Sequence, residues 1–110
     1  MNEVFSPTRR HERFSVVLSV VCSSTGETLA DQVVNLSYGG ACVKTPTPLS
    51  PGTRHHFAIT VPDAKLRARK VDVEAVVAWC TPDTMGLTFA KHCDGIDDYL
   101  KRLERASHSI

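Results

Sequence analysis

The sequence predicts an all-β domain: a small six-stranded antiparallel barrel with one α-helix at its C-terminal end. Three observations carry that expectation. Val71, Val73, Ala75, Val77 and Trp79 place five apolar residues at spacing two, the period of a half-buried strand. Several shorter apolar runs precede and follow it, separated by turn-forming residues, with no alternation of strand and helix that would signal a parallel sheet. Only the last segment has helical spacing, with Ile96, Tyr99, Leu100 and Leu103 on one face.

Residues 1–13 are polar, contain Pro7 and read as a flexible arm; residues 14–106 form the barrel and helix as a single domain. The first strand spans 14–22, rich in Val and Leu, and "SSTGE" turns the chain. A second run, 28–36, leads into "NLSYGG", where polar residues and two glycines interrupt it before the short apolar stretch 40–44. "TPTPLSPG" holds three prolines and a glycine, which excludes helix and central strand. Residues 55–61 alternate, with Phe57, Ile59 and Val61 on one face, and Pro62 and Asp63 turn the chain again. The long strand 71–79 follows; "TPDT" turns it into a hairpin closed by 85–90. Asp94 is the expected cap of the helix, Asp97 lies in its first turn, and Lys101, Arg102 and Arg105 sit toward the end where the helix dipole favours cations.

With 110 residues and a formal net charge of +1, the chain is one domain with no global field to attract nucleic acid or membranes. Cationic character is local: Arg9, Arg10 and Arg13 surround His11, opposed only by Glu3 and Glu12. Residues 1–13 lack the apolar core of a signal peptide. The longest apolar stretch, 16–22, is far short of the roughly 20 residues of a membrane helix. Cys22, Cys42, Cys80 and Cys93 are irregularly spaced with no C-x-x-C, so they read as reduced, mostly buried thiols of a cytoplasmic protein.

Catalytic signatures are missing. There is no G-x-S-x-G, no phosphate-cradling G-x-x-x-x-G-K-[ST], and no carboxylate pair in a pocket context. His55 and His56 are adjacent in a strand and face opposite ways. Cys80, His92 and Cys93 fit no common zinc-ligand spacing, so neither an enzyme nor a metal site is expected.

Two motifs remain. Arg9-x-x-x-Arg13 lies within "RRHERF", and Asn35-x-Ser37-x-x-Gly40 lies within "NLSYGG". In this order and on an all-β pattern they resemble the PilZ domain family, whose signature is R-x-x-x-R followed by [D/N]-x-S-x-x-G. The likeness extends to "SPGT" at 50–53, "VVAW" at 76–79, "MGLTFA" at 85–90 and the terminal helix, nearly the whole chain.

The resemblance implies a receptor for cyclic di-GMP, a bacterial second messenger, with Arg9 and Arg13 in the family's arginine positions. The residue chemistry suits that ligand. An arginine fork matches guanine O6 and N7 or a phosphate, and its plane stacks on a base. Arg10 is an additional cation for phosphate. Asn35 offers an acceptor and donors to a guanine edge or ribose, and Ser37 a small hydroxyl. Gly40, with Gly39 sharing the role, lets the backbone approach a ligand or adopt positive φ. Many members carry Asp where this chain has Asn35. The expected ligand-binding set is therefore Arg9, Arg10, Arg13, Asn35, Ser37, Gly39 and Gly40, with no cofactor besides the ligand itself, and the expected output is altered binding to a partner protein.

Other readings stand beside this one. A plain turn or bulge explains Asn, Ser and Gly in "NLSYGG" without a ligand. An adaptor of the same fold would bind a partner constitutively and ignore nucleotide. A small barrel binding single-stranded nucleic acid is disfavoured, because the chain has only four Phe, two Tyr and one Trp, and Trp79 reads as core.

Overall fold

The structure, a computed structural model, describes residues 13–22 and 27–108. Six strands run in chain order: β1 (Phe14–Cys22), β2 (Glu27–Leu36), β3 (Gly40–Lys44), β4 (Arg54–Pro62), β5 (Ala68–Thr81) and β6 (Thr84–Phe89), followed by helix α1 (Asp94–His108). All neighbouring pairs are antiparallel, and the sheet closes on itself in the order β1-β2-β3-β6-β5-β4. Closure comes from β1 and β4, where Val20 pairs with Ile59. A closed sheet leaves no edge for another chain to pair with. The expected arm, apart from Arg13, lies outside the described residues, and so does the heart of the "SSTGE" turn.

Alternation decides which side chains fill the barrel. Phe57, Ile59 and Val61 from β4 meet Val71, Val73, Ala75 and Val77 from β5, all buried. On α1 the face made by Ile96, Tyr99 and Leu100 joins the same core, with Leu103 half-buried beside it. Gly95 sits so close to the Val71 side chain that a Cβ there would lie 2.9 Å from its methyls, so the start of α1 presses on β5.

β5 begins three residues before its apolar run. Arg69 and Lys70 are exposed and carry no hydrophobic signal, but Ala68 pairs with Pro62 across a tight turn. Three expectations need correction. Trp79 is not core; it is 46% exposed. The register moves from Val77 opposite Leu87 to Trp79 opposite Gly86, two residues of β5 against one of β6, and this bulge at Ala78 turns Trp79 outward. The thiols are not mostly buried: all four are free, but Cys22 alone is buried, Cys42 and Cys93 are half-buried, and Cys80, beyond the same bulge, is exposed. Asp94 does not cap α1. The Asp97 N–H donates to the Cys93 carbonyl at 3.0 Å, so Cys93 holds the capping position. The Asp94 carboxylate instead lies 3.2 Å from His92 Nε2, which also meets Asp97 at 2.8 Å.

Candidate functional site

Val33 and Leu36 are both completely buried although they are three positions apart, an odd spacing that regular alternation along a strand puts on opposite faces. A second bulge resolves the conflict. Val33 pairs with Val43 and Asn35 with Cys42, so Val34 is the extra residue and Asn35 leaves the core for the outer face. The strand then ends in a turn built around Ser37. Its N–H donates to the Gly40 carbonyl at 2.9 Å. Its hydroxyl accepts from the N–H groups of Gly39 at 3.3 Å and Gly40 at 3.2 Å, and donates to the Gly40 carbonyl at 3.3 Å. Ser37 is only 2% exposed, and its side chain is spent on the turn.

Gly40 does not adopt the positive φ that was one of its two expected roles, and the barrel's own packing requires a glycine there. A Cβ at this position would stand 2.1 Å from the Leu87 carbonyl oxygen, because β6 runs directly against the turn. Among the described glycines positive φ occurs at Gly52, not here. The missing side chain serves the β3–β6 contact. Phe89 completes the lock by donating its N–H to the Gly39 carbonyl at 2.9 Å.

Arg13 stands just before β1, whose Ser15 pairs with Asn35. Its Nη1 donates to Asn35 Oδ1 at 2.7 Å. The neutral amide orients the guanidinium without cancelling its charge, as a carboxylate there would. Arg13, Ser37, Gly39, Gly40, Leu87 and Thr88 line a shallow cleft of about 230 Å³. Beside it the Cys42 thiol is pushed up in pKa by burial, against the opposing pull of the Arg13 charge. Five of the seven expected residues thus converge on one patch: Arg13, Asn35, Ser37, Gly39 and Gly40. Arg9 and Arg10 lie outside the described residues.

Sequence reasoning missed two neighbours. Cross-strand pairing sets Ser15, Asn35, Cys42, Gly86 and Trp79 in one row around the outside of the barrel. The Trp79 indole lies on Gly86: a Cβ there would be 2.3 Å from both Cε2 and Nε1. An aromatic ring over a strand glycine covers exposed backbone. Here it also sets a half-exposed flat ring about 10 Å, two strand spacings, from Asn35. The tight turn "TPDT", counted back from Gly86, was the signal that could have revealed this pairing. Tyr38, within the turn, donates its hydroxyl to Glu104 Oε1 of α1 at 3.1 Å. Burial first, then the Glu104 contact, raises the pKa of this phenol.

The PilZ domain family model matches residues 7–106. The chain belongs to the PilZ domain family. A comparison with curated proteins finds no match. Among solved structures, this PilZ domain is similar to the Bacillus subtilis inhibitor of motility (MotI/DgrA), with a TM-score of 0.74 and 23% identity. The alignment covers 92% of this chain and 52% of that protein, so the PilZ domain described here spans about half of its length. The family match itself spans all six strands and most of the helix, and the structural likeness shows the same fold. Among the described residues, no helix is long and apolar enough to cross a membrane.

Proposed function

We propose that this PilZ domain is a receptor for cyclic di-GMP that binds without turnover, reports to a partner protein and acts in the cytoplasm. The observation that carries the reading is the Arg13–Asn35 hydrogen bond, which brings one motif onto the other from 22 residues away and leaves a guanidinium poised over the Ser37–Gly40 turn. Arg13 supplies charge and a donor fork to phosphate or guanine. The Asn35 amide, its oxygen engaged by Arg13, keeps its N–H donors for the ligand. Backbone of Gly39 and Gly40 forms the floor, and Ser37 holds that floor in shape. Trp79 offers a face for base stacking at the far end of the row. Arg9 and Arg10, in the same R-x-x-x-R stretch as Arg13, supply further donor forks for phosphate or guanine in this reading.

The output runs through α1. Tyr38 belongs to the turn that forms the floor, and its bond to Glu104 ties that turn to the helix. A ligand that shifts the turn therefore shifts the helix surface. The name of the structural neighbour makes motility proteins the first partners to test.

Isothermal titration with cyclic di-GMP, with GTP as control, tests the reading. Heat specific to the cyclic dinucleotide, with a matching rise in melting temperature, is the expected result. Absence of both would leave the nucleotide-independent adaptor, which the full internal engagement of the Ser37 hydroxyl also accommodates.

A further inference from the structure

A second concavity, larger than the PilZ motif cleft, lies elsewhere on the described surface. It measures about 400 Å³ and lies between the turn linking β4 to β5 and the outer side of α1. Lys65 and Arg67 line it from the turn, Arg69 from the start of β5, and Lys101, Arg102 and Arg105 from the helix. Asp63 and Asp98 are the acidic groups in the lining. Six cations against two carboxylates give a formal +4 within a chain whose total is +1, leaving −3 for everything else. Helix-dipole complementarity accounts for Arg105 near the end of α1, but not for three cations converging from outside the helix. Among the described residues, Lys65, Arg69, Lys101 and Arg105 have no carboxylate partner within salt-bridge distance.

The turn itself is held firmly. Asp63 donates its N–H to the Arg67 carbonyl at 2.8 Å, and Leu66 donates its own to the Asp63 carbonyl at 2.9 Å. Asp63 Oδ1 accepts from the backbone N–H groups of Lys65 at 2.8 Å and Arg67 at 2.9 Å. At its tip Leu66 has φ of 64° and is 83% exposed. A branched side chain in the left-handed region is uncommon, and glycine or asparagine would sit there with less strain. Neither burial nor backbone preference explains a leucine at this position. A rigid apolar knob between Lys65 and Arg67 is the form of an interface contact.

We propose that this cleft is a docking surface for an acidic segment of a partner protein, with Leu66, which is outside the cleft lining at the tip of the adjoining turn, as an apolar contact beside it. Shape and lining chemistry select that occupant. The cations face each other across a concavity, which a peptide carrying Asp and Glu can enter and a flat bilayer cannot. Among the lining residues no aromatic ring is available for base stacking, and Asp63 and Asp98 would repel a continuous phosphate backbone while setting the register of a mixed-charge peptide. This proposal stands independently of cyclic di-GMP binding.

Fluorescence anisotropy on the full chain tests it, using a labelled synthetic peptide of glutamates and leucines. Parallel titrations use a single-stranded oligonucleotide and phosphatidylglycerol vesicles. The expected result is peptide binding that weakens with salt and falls by about tenfold or more in the double variant Arg69→Glu, Lys101→Glu. Leu66→Ser should lower it severalfold with the salt dependence intact. All three positions are exposed, and thermal melts verify that the variants fold; if the double variant does not, each single reversal is used instead. No peptide binding, or binding indifferent to these substitutions, overturns the proposal. Preference for the oligonucleotide or the vesicles through the same residues also overturns it and assigns the surface to that ligand.

Discussion

Tyr38 and Glu104 are joined by a 3.1 Å hydrogen bond across 66 residues of chain, linking the turn of the PilZ motif to the C-terminal helix. Few side-chain contacts of the turn reach so far. Tyr38→Phe removes the hydroxyl and keeps the ring, so the loss of stability should be small, about 1 kcal/mol. Hydrogen exchange is the sharper readout. In the native chain, cyclic di-GMP should slow exchange in α1 as well as at the turn; in the variant the effect on α1 should vanish while the turn still responds. An unchanged response in α1 would mean that the signal leaves by another route.

Arg13→Ala should weaken cyclic di-GMP binding by roughly ten- to a hundredfold, the equivalent of about 1–3 kcal/mol for one well-placed arginine contact. The side chain is exposed and precedes β1, so the melting temperature of the free protein should barely move. Calorimetry showing native affinity in this variant would contradict the site.

Two substitutions in the turn should act on the fold before they act on the ligand. Gly40→Ala drives a methyl into the Leu87 carbonyl and should cost about 2–4 kcal/mol by denaturant unfolding. Ser37→Ala strips the acceptor from the Gly39 and Gly40 amides, at about 1–3 kcal/mol. If both variants keep native stability but lose binding, the two residues touch the ligand directly and their structural role is overstated.

Trp79 is the sole tryptophan of the chain, so intrinsic emission reports on one place. A guanine stacking on its free face should quench that emission in a saturable way. Trp79→Ala should lower affinity by about 1–3 kcal/mol, and an emission spectrum indifferent to saturating ligand would remove the residue from the site.

The Asp63 carboxyl should titrate below the usual aspartate range, because the Arg67 backbone N–H, ahead of the Lys65 N–H, holds its charged form. A folded pKa below the unfolded one means that its contribution is complete above the unfolded value and is lost as pH falls through the folded one. Amide chemical shifts of Lys65 and Arg67 should follow one low midpoint and lose it in Asp63→Asn. A midpoint at or above that of a free aspartate would show that the turn is held otherwise.

Much of this molecule was legible along the chain. Alternation in Val71 to Val77, the proline-rich break at 45–52 and the helical spacing of Ile96, Tyr99 and Leu100 are local consequences of period two and period 3.6, so the strands and helix could be read residue by residue. Arg13, Asn35 and Ser37 were singled out by type and spacing, and the fold brings them onto one patch. Beyond the Trp79–Gly86 pairing that the "TPDT" turn implies, what the order of residues did not contain was register. Bulges at Val34 and Ala78 are set by which partner strand each segment meets, and they alone turn Asn35 out toward Arg13 and Trp79 out over Gly86. Gly40 was recognised as special, but the atom that forbids a side chain there belongs to Leu87, far along the chain. The bond from Tyr38 to Glu104 and the cleft shared by Lys65 and Lys101 likewise exist only once the barrel has closed and the helix has packed. Periodicity is a property of neighbours in the chain. Sites are made by neighbours in space, and barrel closure decides which residues those are.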